Sequence, residues 1–254
     1  MPRPPLVIAH RGDSAHRPEN TLAAFAGALE VGAALVELDV QLTADGHVIV
    51  LHDPGLDRTT TGRGDVRRLT LAEVRSVSAG YPDRFGSAYE GERVPALSEA
   101  LALLRARARV LVEIKAESVT DDADGGIEAR TAEEVRRAGM ADAVALISFE
   151  QRAILHLASL APEMTRGRLF GRTNPDEVLA AAREAGCGLV MPHKSQLTDA
   201  LADRVHAAGL DLATWVVDEP AELKQLARFG LYGVGSNRPG VLLEAIADGL
   251  LEEL

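Results

Sequence analysis

Short apolar runs alternate with longer segments of helical periodicity along most of the chain. Short runs rich in Val, Ile and Leu are typical of buried parallel strands, and the longer segments are typical of helices packed on a sheet. The predicted strands are Leu6–His10, Ala34–Asp39, Val110–Lys115, Ala143–Ser148, Gly167–Phe170, Gly188–Pro192, Asp211–Val217 and Gly233–Asn237. The predicted helices are Thr21–Val31, Ser98–Ala106, Ile127–Ala138, Gln151–Leu160, Asp176–Ala185, Asp199–Ala208, Ala221–Arg228 and Gly240–Leu250.

This alternation of eight strands with eight helices predicts an α/β fold, the (β/α)8 TIM barrel, in preference to an open doubly wound sheet. The last third of the chain taken alone would fit either architecture, so the prediction depends on the full count. A length of 254 residues suits one barrel, and we expect a single domain over residues 1–254.

One further strand-like segment, His47–His52, interrupts the alternation. It follows the second strand after a turn at Asp45-Gly46, which is too short for the crossover that a parallel neighbour needs. The segment is therefore predicted to fold back as a hairpin. Its end returns His52 to the C-terminal face of the barrel, where active sites of this fold are built.

Residues 54–95 come next and are rich in Gly, Arg, Thr and Asp, with only weak periodicity. We interpret them as a small insertion on the catalytic face, either a subdomain or a lid. Within it, Gly80, Tyr81, Pro82 and Gly86–Gly91 are typical of loop.

The charge balance restricts the partners. With 27 basic and 38 acidic residues, the formal net charge is -11, which argues against nucleic acid and against docking on anionic membranes. No apolar stretch approaches the length of a membrane span or of a leader, so we expect no stable membrane insertion and a cytoplasmic location. The oligomeric state is not readable from the sequence.

Two strands carry inward-facing charges. Glu37 and Asp39 lie two residues apart on one strand and therefore point to the same side. Glu113 and Lys115 repeat the spacing on the next barrel strand. Salt bridges with Lys115 or with Arg11 would explain one carboxylate pair, but three convergent carboxylates leave an excess of negative charge. A hard cation such as Mg²⁺ or Ca²⁺, which prefers oxygen ligands, would neutralise it.

Two histidines are predicted to reach the same face. His10 ends the first strand and His52 ends the hairpin, where Asp53 is placed to orient its imidazole. A single histidine is more often structural, but a pair beside a carboxylate cluster indicates acid–base chemistry near neutral pH. Arg11, which follows His10, offers a planar fork for phosphate oxygens.

Other candidates have local explanations as well. Asn20 or Thr21 would cap the first helix, and a second role for Glu19 and Asn20 is to hold the site residues in place. Trp215 fills the core or forms a wall against substrate. Cys187, the single cysteine, is interpreted as a buried thiol and not as a nucleophile.

Taken together, these residues resemble the glycerophosphodiester phosphodiesterase family. The resemblance spans nearly the whole chain and is carried by Ala9-His10-Arg11-Gly12, Pro18-Glu19-Asn20-Thr21, Glu37-Leu38-Asp39-Val40, Asp45-Gly46, Leu51-His52-Asp53, Leu56-Asp57-Arg58-Thr59-Thr60, Val94-Pro95-Ala96-Leu97, Val112-Glu113-Ile114-Lys115 and Trp215-Val216-Val217. It implies hydrolysis of small-molecule glycerophosphodiesters to glycerol 3-phosphate and an alcohol, with a divalent cation.

The resemblance also implies roles for the matching positions. It implies that the cation ligands are Glu37, Asp39 and Glu113, and that His10 and His52 are the acid–base pair.

By the same resemblance, Arg11 and Lys115 are the phosphate contacts.

The chain departs from the family pattern near the end of the last strand. Where the family commonly has Thr-Asp, this chain has Ser236-Asn237. Substrate preference is therefore not transferred from other members.

Two other functions fit the same scaffold. A phospholipase D-like phosphodiesterase acting on lysophospholipids would favour an exposed apolar lip in residues 54–95, which are mostly polar. A non-catalytic barrel that binds a phosphate ligand would have no need of the complete set of histidines and carboxylates.

Overall fold

The computed structural model describes residues 4–252, so residues 1–3 and 253–254 of the predicted domain lie outside the described residues. The strands are β1 (Leu6–His10), β2 (Leu35–Leu42), β3 (Val48–Val50), β4 (Arg109–Ile114), β5 (Val144–Ser148), β6 (Thr165–Phe170), β7 (Leu189–Pro192), β8 (Asp211–Trp215) and β9 (Gly233–Ser236). The α-helices are α1 (Leu22–Glu30), α2 (Leu71–Arg75), α3 (Pro82–Phe85), α4 (Leu97–Leu104), α5 (Ile127–Arg137), α6 (Gln151–Leu160), α7 (Pro175–Glu184), α8 (Asp199–Ala207), α9 (Pro220–Ala227) and α10 (Pro239–Ala247). Short 3₁₀ turns occupy Val66–Arg68, Ala116–Ser118 and Lys194–Gln196.

Eight parallel strands close into a barrel. The order is β1-β9-β8-β7-β6-β5-β4-β2, and β1 pairs with β2 to complete the ring. β3 lies outside the ring, antiparallel to β2, as the predicted hairpin requires. Helices α1 and α4–α9 separate consecutive barrel strands, and α10 follows the last strand, β9. The predicted (β/α)8 fold is confirmed.

Side chains of each strand alternate between two apolar layers. One layer fills the barrel interior and includes Ile8, Leu35 and Leu111. The other lies between strands and helices and includes Val36 and Leu38. Because the alternation has a period of two, Glu37 and Asp39, which flank Leu38, must point into the barrel. Apolar packing of the outer layer thus directs charged residues into the mouth of the barrel.

Several predicted boundaries differ from the structure for identifiable reasons. Three helices begin one residue before the predicted start, at Pro175, Pro220 and Pro239. Proline suits the first helical position because its missing N–H would have no helical acceptor there. Strand β2 continues to Leu42, beyond the predicted end at Asp39, because its last residues pair with β3.

Residues 54–95 share a small separate apolar core with the hairpin segment around β3. The cluster comprises Ile49, Leu51, Leu56, Val66, Val74, Ala79 and Val94. The predicted loop at Pro82 is wrong, since Pro82–Phe85 forms one helical turn. These apolar residues are too widely spaced to give a periodic signal, which explains why sequence patterning showed only polarity.

None of the helices within residues 4–252 is long and apolar enough to cross a membrane. The longest of them, α5, has 11 residues, whereas a span needs roughly 20.

Candidate active site

The charged residues of the barrel mouth meet on three neighbouring strands. His10 of β1 lies opposite Glu37 of β2 in the strand register. Two residues further along β2, Asp39 lies opposite Glu113 of β4. The register therefore places all four residues near the C-terminal ends of the strands, although up to 103 positions separate them in sequence.

Three carboxylates converge there. Glu37, Asp39 and Glu113 each offer an oxygen within 4.8 Å of the others, and all three side chains are buried. Burial raises the pKa of Glu113, and the charge of Asp39 adds to this, to about 7. Burial, Asp39 and Glu113 likewise raise the pKa of Glu37 well above its ordinary value. The cluster therefore holds more negative charge than its surroundings neutralise.

Asp39 is the most constrained of the three. Its Oδ2 accepts from Asn20 Nδ2 at 2.8 Å and lies 3.2 Å from Arg11 Nε. Burial would raise its pKa, but the charges of Arg11 and Lys115 outweigh this and hold the pKa below the usual range. Its buried Oδ1 accepts no hydrogen bond from any residue between 4 and 252.

These residues fit a divalent cation. Oxygen atoms from three carboxylates are the ligand type that Mg²⁺ and Ca²⁺ prefer. The buried Oδ1 of Asp39 lies 3.4 Å from Lys115 Nζ without accepting a hydrogen bond from it, so this oxygen can still bind a cation. A cation would also remove the repulsion that raises the pKa of Glu37 and Glu113.

The backbone conformation at Arg11 directs its N–H toward the carboxylate cluster. Arg11 has φ 57°, a left-handed conformation that is unfavourable for a residue with a Cβ. This turn aims its N–H at Glu37 Oε2, at 3.0 Å, while its guanidinium contacts Asp39 and, at 2.8 Å, Glu19. Gly12 follows with φ 83°, and a Cβ there would lie 2.6 Å from the backbone of Ala24.

The two histidines have different partners. His10 Nδ1 lies 2.7 Å from the amide oxygen Oδ1 of Asn237. Burial, with the charge of Arg11, lowers the pKa of His10 to about 4. His52 Nδ1 instead lies 2.6 Å from the carboxylate of Asp53. One ring is thus held by a neutral group and the other by a charged one.

A network of paired charges surrounds His52. Arg58 donates to Asp53 through Nε at 2.6 Å and to both oxygens of Glu19 at 2.8 and 2.9 Å. Glu19 also accepts from Arg11. Arg58 therefore connects the regions around both histidines. In the sequence it is marked only as part of Leu56-Asp57-Arg58-Thr59-Thr60.

A cavity of about 90 Å³ opens beside these groups. His10, His52 and Lys115 lie on its charged side. The apolar part of its lining is formed by Ile8, Ile147, Phe149, Leu169, Met191 and Trp215. The sequence left open whether Trp215 fills the core or forms a wall against substrate. Its ring lines this cavity and contacts the edge of the Phe149 ring, with 5.6 Å between the centroids.

Several charged or reactive residues outside the cluster are buried or have structural partners. Lys194 pairs with Glu222 at 2.8 Å, and Cys187 is buried as predicted. His156 Nδ1 lies 2.9 Å from the fully buried Glu128, a contact that joins α6 to α5.

Asp218 was missed altogether. It follows β8 and binds the segment after β9, through the backbone N–H of Asn237 at 2.7 Å. No local pattern marks such a residue, because its partner is 19 positions away, just after another strand.

Comparison with known proteins gives a consistent result. The model of the glycerophosphoryl diester phosphodiesterase family matches residues 10–241. A glycerophosphodiester phosphodiesterase of Caldanaerobacter subterraneus subsp. tengcongensis is 34% identical over 96% of this chain and 98% of its own.

Solved structures agree in fold. An Oleispira antarctica phosphodiesterase in complex with the product sn-glycerol-3-phosphate is 29% identical with a TM-score of 0.88, covering 96% of this chain and 97% of that one. A glycerophosphodiester phosphodiesterase from Agrobacterium tumefaciens is 30% identical with a TM-score of 0.80, covering 94% and 99%. The chain therefore belongs to the glycerophosphoryl diester phosphodiesterase family and is a phosphoric diester hydrolase.

Proposed function

We propose that this barrel hydrolyses glycerophosphodiesters to glycerol 3-phosphate and an alcohol, with one divalent cation, Mg²⁺ or Ca²⁺, and two histidines. The observation that carries the proposal is the buried cluster of Glu37, Asp39 and Glu113 beside His10 and His52. In this proposal the whole chain is one catalytic domain. Residues 54–95 form part of its catalytic face and contribute Arg58 to the network around His52.

The carboxylate cluster would hold the cation. When bound, such an ion supplies Lewis acidity and neutralises charge on a non-bridging phosphate oxygen. Glu37, Asp39 and Glu113 are the ligands, and Asn20 keeps Asp39 in place through its amide, with Nδ2 donating to Oδ2 and Oδ1 accepting from the Asp39 N–H at 3.2 Å.

Two basic side chains complete the phosphate site. Lys115 Nζ lies 2.6 Å from Glu113 and 3.4 Å from Asp39, and Arg11 stands on the other side of Asp39. Both line the cavity. They partly neutralise the cluster in the resting protein and present N–H donors to a phosphate in the cavity, which offsets the repulsion expected from a chain of net charge -11.

The histidines move protons. One ring takes the proton of the attacking oxygen as that oxygen bonds to phosphorus, and the other gives a proton to the leaving alkoxide as its bond breaks. The attacker is either the glycerol 2-hydroxyl, which yields a cyclic phosphate that water then opens, or water itself. Asp53 orients His52, and Arg58, which also donates to Glu19, holds Asp53 in place.

The apolar wall suits the carbon atoms of the glycerol moiety. Trp215 is held by its indole N–H, which donates to the carbonyl of Met191 at 3.2 Å. Phe149 packs against it. A flat apolar surface facing a charged one positions a small polyol phosphate with its phosphate toward the cluster.

The proposal is tested by the release of glycerol 3-phosphate from glycerophosphocholine, glycerophosphoethanolamine and glycerophosphoglycerol with added Mg²⁺ or Ca²⁺. His10→Ala and His52→Ala should each lower kcat by about 100- to 10,000-fold, because each removes a proton-transfer group. His47→Ala is the matched control, since His47 is half exposed at the hairpin turn beside Asp45, and it should keep wild-type activity. Near-normal turnover by either active-site variant would contradict the acid–base roles.

The two attackers are separated by a single-turnover reaction in ¹⁸O-labelled water with analysis at early times. A cyclic phosphate that forms and disappears supports attack by the 2-hydroxyl. Its absence at every time point, together with label in the first product, supports direct attack by water.

A further inference from the structure

Asn237 lies between the His10 ring and the carboxylate of Asp218. It directly follows β9, which is the neighbour of β1 in the barrel. Its Oδ1 lies 2.7 Å from His10 Nδ1, and its Nδ2 donates to Asp218 Oδ2 at 2.9 Å. The amide thus bridges a histidine of the proposed site and a carboxylate that the proposed reaction does not use.

Asp218 permits one orientation of this amide. Its Oδ1 accepts from the backbone N–H of Asn237 at 2.7 Å and from Ser236 Oγ at 3.0 Å. An ionised carboxylate has no proton to donate, so the side-chain group of Asn237 that faces Asp218 must be the NH₂. The amide oxygen therefore faces His10. Ser14 Oγ lies 3.1 Å from that same oxygen, on the side away from Asp218.

An amide oxygen only accepts hydrogen bonds, which decides the form of the histidine. If Nδ1 of His10 carried a lone pair, two acceptors would face each other at 2.7 Å. The proton must therefore reside on Nδ1, and in the neutral ring Nε2 carries the lone pair.

We infer that Asn237, held by Asp218, is a positioning residue that fixes His10 with its proton on Nδ1 and its lone pair on Nε2. The inference rests on the proposed function for its effect on rate. In this form neutral His10 accepts a proton at Nε2 and cannot donate one there. Although this chain has Ser236-Asn237 where the family commonly has Thr-Asp, a carboxylate is still present at the strand end, supplied by Asp218, which follows the neighbouring strand β8.

The form of the ring is measured directly by ¹⁵N NMR of the Mg²⁺-loaded protein at pH 8, with His10 assigned by comparison with His10→Ala. Wild type should show the pyrrole-like nitrogen at Nδ1. In Asn237→Leu, which keeps the approximate shape and removes the acceptor, the ring should shift toward the Nε2–H form that predominates in free imidazole side chains. A wild-type ring protonated on Nε2 would overturn the inference. This measurement does not depend on any substrate, so it stands even if no glycerophosphodiester is hydrolysed.

Kinetics then separate positioning from mere stability. Asn237→Leu should lower kcat by about 10- to 100-fold, the usual cost of losing a group that orients an active-site histidine, with KM within about twofold. The control is Asn174→Leu, which removes the cap of α7 and should lower the melting temperature without changing kcat. A kcat for Asn237→Leu within twofold of wild type, or no greater loss than the control shows, would overturn the inference.

A charge-conserving exchange covers the case in which Asn237→Leu fails to fold. Asp218→Asn with Asn237→Asp swaps the carboxylate and the amide, and every hydrogen bond between the two side chains and to His10 keeps a donor and an acceptor. We expect the double variant to retain the Nδ1–H ring and to exceed the kcat of Asp218→Asn alone by at least about tenfold. A double variant no faster than that single variant, or with an Nε2–H ring, would contradict the assigned role.

Discussion

Two groups of carboxylates lie within the same barrel mouth and behave in opposite ways. The inner group is Glu37, Asp39 and Glu113, and the outer group is Glu19 and Asp53. In the inner group, burial and mutual repulsion raise the pKa of Glu37 and Glu113. In the outer group, burial also raises the pKa of Glu19 and Asp53, but hydrogen bonds from Arg58 outweigh it and lower both. The charges of the outer group are matched by Arg58, whereas the inner group keeps an excess of negative charge.

The difference indicates which group does chemistry. Arg58 matches the charges of Glu19 and Asp53, which therefore gain little from a cation, so the outer group is suited to hold its neighbours in place. In the inner group only part of the charge of three buried carboxylates is offset by Arg11 and Lys115. A buried group with such an excess of charge is a poor structural element and a good cation site. Charge satisfaction, more than charge count, separates scaffold from proposed site.

The largest effect is expected from breaking the inner group. Asp39→Asn removes charge from the best-buried ligand and should lower kcat/KM on the order of 1,000-fold, because a bound ion supplies several kcal/mol of transition-state stabilisation. Steady-state assays of glycerol 3-phosphate release measure it. Asp211→Asn, an exposed change at the N-terminal start of β8, is the matched control and should be silent. Full activity of Asp39→Asn would contradict the assignment of the cation ligands.

Breaking the outer group should cost less. Arg58→Gln leaves Glu19 and Asp53 without their shared partner and frees His52, and we expect a 10- to 100-fold loss of kcat, as for other groups that orient active-site residues. Arg107→Gln, a change of an exposed residue, serves as the control. A loss as large as that of Asp39→Asn would show that the two groups are not functionally distinct.

Removing a carboxylate of the inner group should raise the free energy of unfolding of the metal-free protein, although it lowers activity. A carboxyl group whose folded pKa is raised keeps its proton longer in the folded state, so it weakens the fold progressively as pH rises from its unfolded pKa toward the folded value. For Glu113 this window ends near pH 7. Glu113→Gln should therefore stabilise the metal-free protein at pH 8 by about 1–3 kcal/mol and change it little at pH 4.5. Urea unfolding in EDTA at both pH values measures this, and a less stable variant at pH 8 would contradict the excess of charge.

Periodicity and spacing were sufficient for much of this picture. Alternation along β2 predicts that Glu37 and Asp39 face the same side, because apolar Val36 and Leu38 must face the helices. The short turn at Asp45-Gly46 predicts the hairpin, since no crossover fits there. These features are local, so a single sequence contains them.

Long-range contacts were not predictable in the same way. Arg58 reaches Glu19 across 39 residues, and Asn237 reaches His10 across 227. No periodic pattern specifies such pairs, because they depend on barrel closure and on the register between strands. The same applies to the apolar core of residues 54–95, whose members are brought together only by the fold.

The most direct test of the inner group as a cation site is metal titration of EDTA-treated protein, with glycerol 3-phosphate release and calorimetric binding followed in parallel. Wild type should lose activity on chelation and regain it as one Mg²⁺ or Ca²⁺ binds per chain, whereas Asp39→Asn should neither bind nor recover. Sustained turnover by the metal-free wild type, or equal binding by Asp39→Asn, would contradict the assignment.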